Sequence, residues 1–225
     1  MTTTEKLVRP APGAPAPEPQ LVRRVYQFER PLTPDEFFDI DFPDPEDGGT
    51  QELVDGQIVE MPGVGGRHGE VDSELGRRLG NRVEALGGRT FGRTLVGSCY
   101  RLALPDGPTQ VRCPDRSFVA AEALAAAGVP PAAPLPRRSL TCLPELACEI
   151  LSEHDRKNPG EFRRKLDEYA AVRIPLVWVV DPEAETVEVF DHAAGTARTL
   201  RRGDTLDGGA VLPGFAVTLD ALFDA

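Results

Sequence analysis

Glu149 sits in the least comfortable setting of any charged residue in the chain. It lies inside Leu146-Ala147-Cys148-Glu149-Ile150-Leu151, a short apolar run that reads as a buried strand. An ionised carboxylate there is costly unless a cation pairs with it or a metal ion meets it. The two-residue strand period places Ala147, Glu149 and Leu151 on one face and Leu146, Cys148 and Ile150 on the other. A structural ion pair with Arg112 or Arg116 would satisfy Glu149 without any chemistry. Asp115 offers a second carboxylate. It follows Pro114 within Arg112-Cys113-Pro114-Asp115-Arg116-Ser117-Phe118-Val119, and a proline in a strand-like run predicts an edge or a bulge, an irregularity that can aim side chains into a site. Alone, this Asp would read as an ordinary turn carboxylate. Lys165 is the third group. On a helix over residues 161–172, Phe162, Leu166, Tyr169, Ala170 and Val172 form the packed face. Arg163 lies at its opposite edge, Arg164 and Glu168 point away, and Lys165 leans inward, either toward a site or to snorkel its ammonium to water. Two carboxylates and one ammonium form a chemical set. Hard oxygen ligands suit Mg²⁺ or Mn²⁺, which can lower the pKa of bound water and neutralise a phosphate under attack. The lysine can orient that water or stabilise developing negative charge.

These groups need elements to bring them together. Thr33 at an N-cap, Pro34 behind it and acids in the first turn predict a short helix. The run from Glu52 to Met61 is two β-prone segments around Asp55-Gly56, which predicts a tight hairpin. Val71, Leu75, Leu79, Val83 and Leu86 recur at helical spacing from Glu70 to Leu86, with Arg77, Arg78 and Arg82 off the stripe. Strands are expected over 97–104 and 111–119, joined by Pro105-Asp106-Gly107-Pro108. Residues 121–144 are rich in Ala and Pro and read as a surface excursion. Leu176-Val177-Trp178-Val179-Val180 is apolar throughout, as a central strand covered on both faces would be, and 186–190 and 197–200 extend it as a meander. This order predicts an α/β domain with a mixed central sheet flanked by helices over 31–225. Residues 1–30, with five prolines between Pro10 and Pro19, predict a disordered tail.

The chain has 225 residues, 25 basic and 36 acidic, for a net charge of −11. That balance excludes a broad nonspecific grip on nucleic acid, which depends on phosphate neutralisation, so any such role must be local. The charge is uneven. Residues 35–47 carry seven acids and no base, whereas Arg156, Lys157, Arg163, Arg164, Lys165 and Arg173 cluster later. No apolar run is long enough to span a bilayer, and no secretion signal is apparent, which predicts a cytosolic protein. Cys99, Cys113, Cys142 and Cys148 form no Cys-x-x-Cys pair and have no histidines at zinc spacing, which predicts mostly reduced core cysteines rather than a disulfide scaffold or a zinc site.

Pro114-Asp115, Glu149 in Cys148-Glu149-Ile150-Leu151-Ser152, and Lys165 with Tyr169 and the Leu176–Pro182 strand resemble the bacterial putative restriction endonuclease family of the PD-(D/E)XK nuclease superfamily. The hairpin from Glu52, Arg67-His68-Gly69 at a helix entry and Leu212-Pro213-Gly214-Phe215 near the end extend the likeness over about residues 32–223. Leu151 stands where the superfamily pattern expects lysine, and Lys165 on the following helix is the residue that matches. The resemblance implies a restriction-endonuclease-like fold. It further implies metal binding by Asp115 and Glu149, water activation by Lys165, a water-mediated metal contact at Glu52, and water or phosphate contact by His68. The expected activity is Mg²⁺-dependent (or Mn²⁺-dependent) endonucleolytic hydrolysis of DNA, without a covalent intermediate. Arg156, Lys157, Arg163 and Arg164 are candidate DNA-backbone contacts, and a homodimer could widen the groove. The alternatives are a catalytically silent interaction protein on the same fold and, more distantly, a two-carboxylate glycosidase.

Overall fold

The computed structural model describes residues 24–40, 42, 43, 45, 48–61, 63, 65–135 and 140–224. Their elements run β1 (Arg24–Tyr26), α1 (Pro34–Asp39), β2 (Thr50–Val54), β3 (Gln57–Met61), α2 (Arg67–Ala85), β4 (Gly92–Val96), β5 (Tyr100–Leu102), β6 (Gln110–Arg112), β7 (Arg116–Ala120), α3 (Ala121–Ala126), β8 (Leu146–Ile150), α4 (Glu153–Lys157), α5 (Pro159–Ala171), β9 (Leu176–Asp181), β10 (Thr186–Asp191), β11 (Thr196–Leu200), β12 (Thr205–Asp207), β13 (Ala216–Thr218) and α6 (Leu219–Phe223). The expected mixed sheet is present, in the order β11-β10-β9-β8-β7-β4, with β8 and β9 parallel and its other pairs antiparallel. A second sheet, β1-β3-β2-β6-β5, stands beside it.

Side-chain alternation divides the core as the strand period requires. Leu146, Cys148 and Ile150 of β8 and Trp178 and Val180 of β9 pack with Val71, Leu75, Leu79 and Val83 of α2. Ala147 and Val177 face the opposite layer, where Tyr169 of α5 packs. The central sheet therefore lies between α2 and α5. The capping box of Thr33 and Glu36 starts α1, and Asp55 and Gly56 take the left-handed angles (φ 51° and 75°) of the expected tight turn.

The two sheets are joined by a bent ribbon. Tyr100 pairs with Arg112 in one sheet and Val96 with Arg116 in the other. The register is unbroken across the corner, where Gly97-Ser98-Cys99 faces Cys113-Pro114-Asp115. The strand expected over 97–104 is cut back to Tyr100–Leu102, beyond the corner, and the one expected over 111–119 is interrupted by it. Pro114 cannot donate to a ladder, and Gly97 takes φ 54°, so both arms turn together from one sheet into the next. Cys99 and Cys113 form a disulfide at this corner, which corrects the expectation of reduced cysteines for this pair; Cys142 and Cys148 are free.

Other expectations also change. Residues 24–26, assigned to the tail, form β1 against β3, because the hairpin leaves an edge with unpaired backbone groups to bond; residues 1–23 lie outside the described residues. The 121–144 excursion is not wholly superficial, since Leu124, Val129 and Leu140 are buried. Strand β4 lies outside the strands that the sequence pattern predicts. In α2, the Arg116 guanidinium, paired with Asp72 at 2.5 and 2.6 Å, lies over Gly76, and a Cβ there would have to displace it.

Replacing Cys99 by Ser should lower stability by about 2–4 kcal/mol in urea denaturation. The reduced wild-type chain should match the variant, whereas Cys142→Ser should leave the midpoint nearly unchanged.

Candidate functional site

The strand period delivers Glu149 from β8 to the α5 side of the sheet, and the helical period brings Lys165 and Tyr169 of α5 over it. The Lys165 ammonium lies 2.8 and 2.9 Å from the two Glu149 carboxylate oxygens and 3.0 Å from Glu52 Oε1. The Tyr169 hydroxyl donates to Glu149 Oε1 at 2.6 Å. All four side chains are buried, Glu149 being 5% exposed, Lys165 7% and Glu52 0%.

Asp115 approaches from the ribbon corner. Its Oδ2 accepts the Ile150 N–H at 2.7 Å, which ties it to the strand end just beyond Glu149. His68, in the first turn of α2, places Nε2 3.6 Å from the same oxygen. Glu52, His68, Asp115, Glu149 and Lys165 thus line one cleft between the two sheets.

A second layer of buried charge holds the first. Arg112 donates to Glu52 Oε2 at 2.8 Å and to Glu168 at 2.7 and 3.1 Å, and the Cys113 N–H donates to Glu52 Oε1 at 3.0 Å. Neither arginine considered as a partner for Glu149 fills that role: Arg112 pairs with Glu52 and Glu168, and Arg116 with Asp72. Glu168, expected to point away from the core, is buried. The inward stripe of α5 is rotated toward Lys165, Glu168 and Tyr169, because Arg112 and Glu149 give these polar groups partners and Ala170, assigned to the packed face, is left exposed.

The electrostatics follow from this packing. Burial pushes the Glu149 carboxyl up; Lys165 pulls it back, and the charges of Asp115 and Glu52 raise it further, to about 8. Burial also raises Glu52, but Lys165, Arg112 and the Cys113 N–H together bring it down to about 2. Burial would lower Lys165, yet Glu149 and Glu52 hold it above its ordinary range. Burial opposes protonation of His68 too, and the neighbouring Asp115 carboxylate overrides it, so its value is raised.

The candidate DNA contacts form internal ion pairs. Arg156 pairs with Asp181, Lys157 with Glu153, Arg163 with Asp167, and Arg164 with Asp55 and Glu168. Tyr169, Arg112 and Glu168 belong to the site but were not singled out as such. Tyr169 could have been found as the residue one helical turn beyond Lys165 on the same face; the Arg112–Glu168 pair joins elements far apart in the chain and has no local signal.

The fold is that of a nuclease-like α/β protein. It aligns with a crystal structure described as a putative nuclease belonging to DUF820 from Anabaena variabilis, with a TM-score of 0.65 and 18% sequence identity over 86% of this chain and 98% of that one. The chain belongs to the Uma2 family, described as putative restriction endonuclease, whose model matches residues 34–220. No curated protein matches. Among the described residues, no helix is long and apolar enough to cross a membrane.

Two outcomes test this cluster. Arg112→Met leaves two buried carboxylates without their shared cation and should cost about 3–5 kcal/mol in urea denaturation. Glu149 has a folded value above its ordinary 4.5, so its contribution to stability is complete below pH 4.5 and is lost as pH rises through about 8. Denaturation without divalent cations should show this decline, and Glu149→Gln should remove it.

Proposed function

We propose that this protein is a divalent-cation-dependent endonuclease, hydrolysing DNA phosphodiester bonds with Mg²⁺ or Mn²⁺ held by Asp115 and Glu149. The observation that carries the reading is the Lys165 ammonium, buried within 3.0 Å of both Glu52 and Glu149 in the cleft that Asp115 lines.

The donor set fits a hard cation. No group of three or more His, Cys, Asp or Glu side chains is arranged to hold a metal among the described residues. Two carboxylates that leave the remaining positions to water and phosphate nevertheless match the way Mg²⁺ binds. Charge favours it as well. Among the described residues around the cleft itself, Lys165 is the one ammonium set between Glu52 and Glu149, and Asp115 adds a third carboxylate to the same lining. Burial first, and then the charges of Asp115 and Glu52, raise the Glu149 carboxyl, and a cation at this position would relieve both. When bound, the cation would neutralise phosphate charge and acidify a water molecule.

The chain's own groups have distinct tasks in this reading. Lys165 is held charged, so it acts as a donor: it can orient the attacking water or stabilise negative charge developing on the phosphate, but it does not accept the proton. Tyr169 and Lys165 fix the orientation of Glu149, and the Ile150 N–H fixes that of Asp115. Glu52 anchors the ammonium and is itself locked by Arg112 and the Cys113 N–H. The DNA backbone can meet Arg156, Lys157, Arg163 and Arg164 by exchanging their carboxylate partners for phosphates. The exposed pairs of Lys157 with Glu153 and of Arg163 with Asp167 contribute only about 0–1 kcal/mol, so their exchange costs little.

Asp115→Ala and Glu149→Ala should each reduce cleavage of plasmid, single-stranded or branched DNA by at least about 100-fold with the fold retained by circular dichroism. Equal cleavage by the double variant in EDTA would refute the proposal. Absence of both cleavage and calorimetric Mn²⁺ binding would instead favour a silent interaction protein on this fold.

A further inference from the structure

Arg93 on β4 is a covered guanidinium with an unusual set of neighbours. The residue is 8% exposed, and its Nη2 donates to the carbonyls of Pro130, Pro131 and Ala133 at 3.3, 2.8 and 2.6 Å. Those three bonds fix the plane of the group. Its Nε is buried without a partner, and among the described residues it has no carboxylate counter-ion. A buried charge held only by carbonyl dipoles is costly, since burial penalises it and no opposite charge repays the penalty.

The group lines a cleft formed by the end of α2, the turn that follows it, β4 and residues 134 and 135. Arg89 lines the same cleft and likewise has no ion pair among the described residues; among those residues Glu84 is the one acid on its walls. Two guanidinium groups therefore share a concave surface with a single carboxylate, and the like charge of Arg89 adds to burial in lowering Arg93. The arrangement is distinct from the carboxylate cleft. His68 lines that one and Val83 this one, separated along α2 by about 22 Å at 1.5 Å per residue.

We infer that the cleft between the end of α2 and β4 is a binding site for a phosphate-type oxyanion, received by the guanidinium groups of Arg93 and Arg89. Guanidinium groups suit such oxygens; with Nη2 of Arg93 held by the loop carbonyls, its Nη1 is the donor left beside the buried Nε, and Arg89 supplies the second group. The oxyanion could be free in solution or carried on a nucleic-acid backbone. This inference does not depend on the hydrolytic reading.

The test is calorimetric titration of the full chain with inorganic phosphate in EDTA, for wild type, Arg89→Ala and Arg93→Met. Wild type should bind with a Kd of about 1 mM, and both variants should weaken binding about tenfold or more. Arg89→Ala keeps the loop anchor, so it reports on the ligand even if Arg93→Met unfolds. Absence of phosphate binding, or equal binding by wild type and Arg89→Ala, would overturn the site. Fluorescence anisotropy of a labelled oligonucleotide identifies the source: displacement by phosphate that is lost in Arg89→Ala assigns the nucleic-acid backbone, and its absence alongside measurable phosphate binding assigns the free oxyanion.

Discussion

The buried ammonium of Lys165 organises the structure around it. A lone charge in that position would be expelled or neutralised, and so would each of the carboxylates beside it. They persist together because each supplies the other's counter-charge: Lys165 to Glu149 and Glu52, and Arg112 to Glu52 and Glu168. The chain of pairs crosses from the central sheet to α5 and on to the neighbouring sheet. It couples the chemistry to the assembly of three separate elements, since no one of them can be withdrawn without stranding a charge.

The parts of this arrangement that were legible in the sequence are those set by short periods. Alternation assigned Glu149 to one face of β8, helical spacing turned Lys165 inward, and Asp55-Gly56 marked the hairpin that carries Glu52. What the sequence did not disclose depends on distant pairing. Glu168 of α5 appeared solvent-facing because its partner Arg112 lies on the distant strand β6, and apolar periodicity has no means of registering a buried residue whose packing partner is a charge. The tail boundary failed for a related reason, as a three-residue strand needs only an edge to bond and carries little pattern of its own.

The disulfide is instructive because its signal was present in another form. Spacing motifs were the wrong guide to Cys99 and Cys113. The ribbon turns near Asp106, and each cysteine lies seven residues from it, so a hairpin folded about that point sets them opposite one another. Pro114 likewise announced an irregularity, but a local rule could suggest only a bulge or an edge, whereas the chain makes a corner shared by both arms.

That shared corner constrains how the protein can vary. Its two arms keep a common count from the hairpin tip to the bend, so residues can be added at the tip around 103–109 without disturbing anything nearer the cleft. A single insertion between Arg112 and Asp115 is another matter. It would put the arms out of phase, turning the aspartate from the acidic cluster and sliding the Cys113 amide off Glu52. The spacing of those four residues is thus fixed by geometry at both ends, leaving evolution free to lengthen the loop but not the elbow.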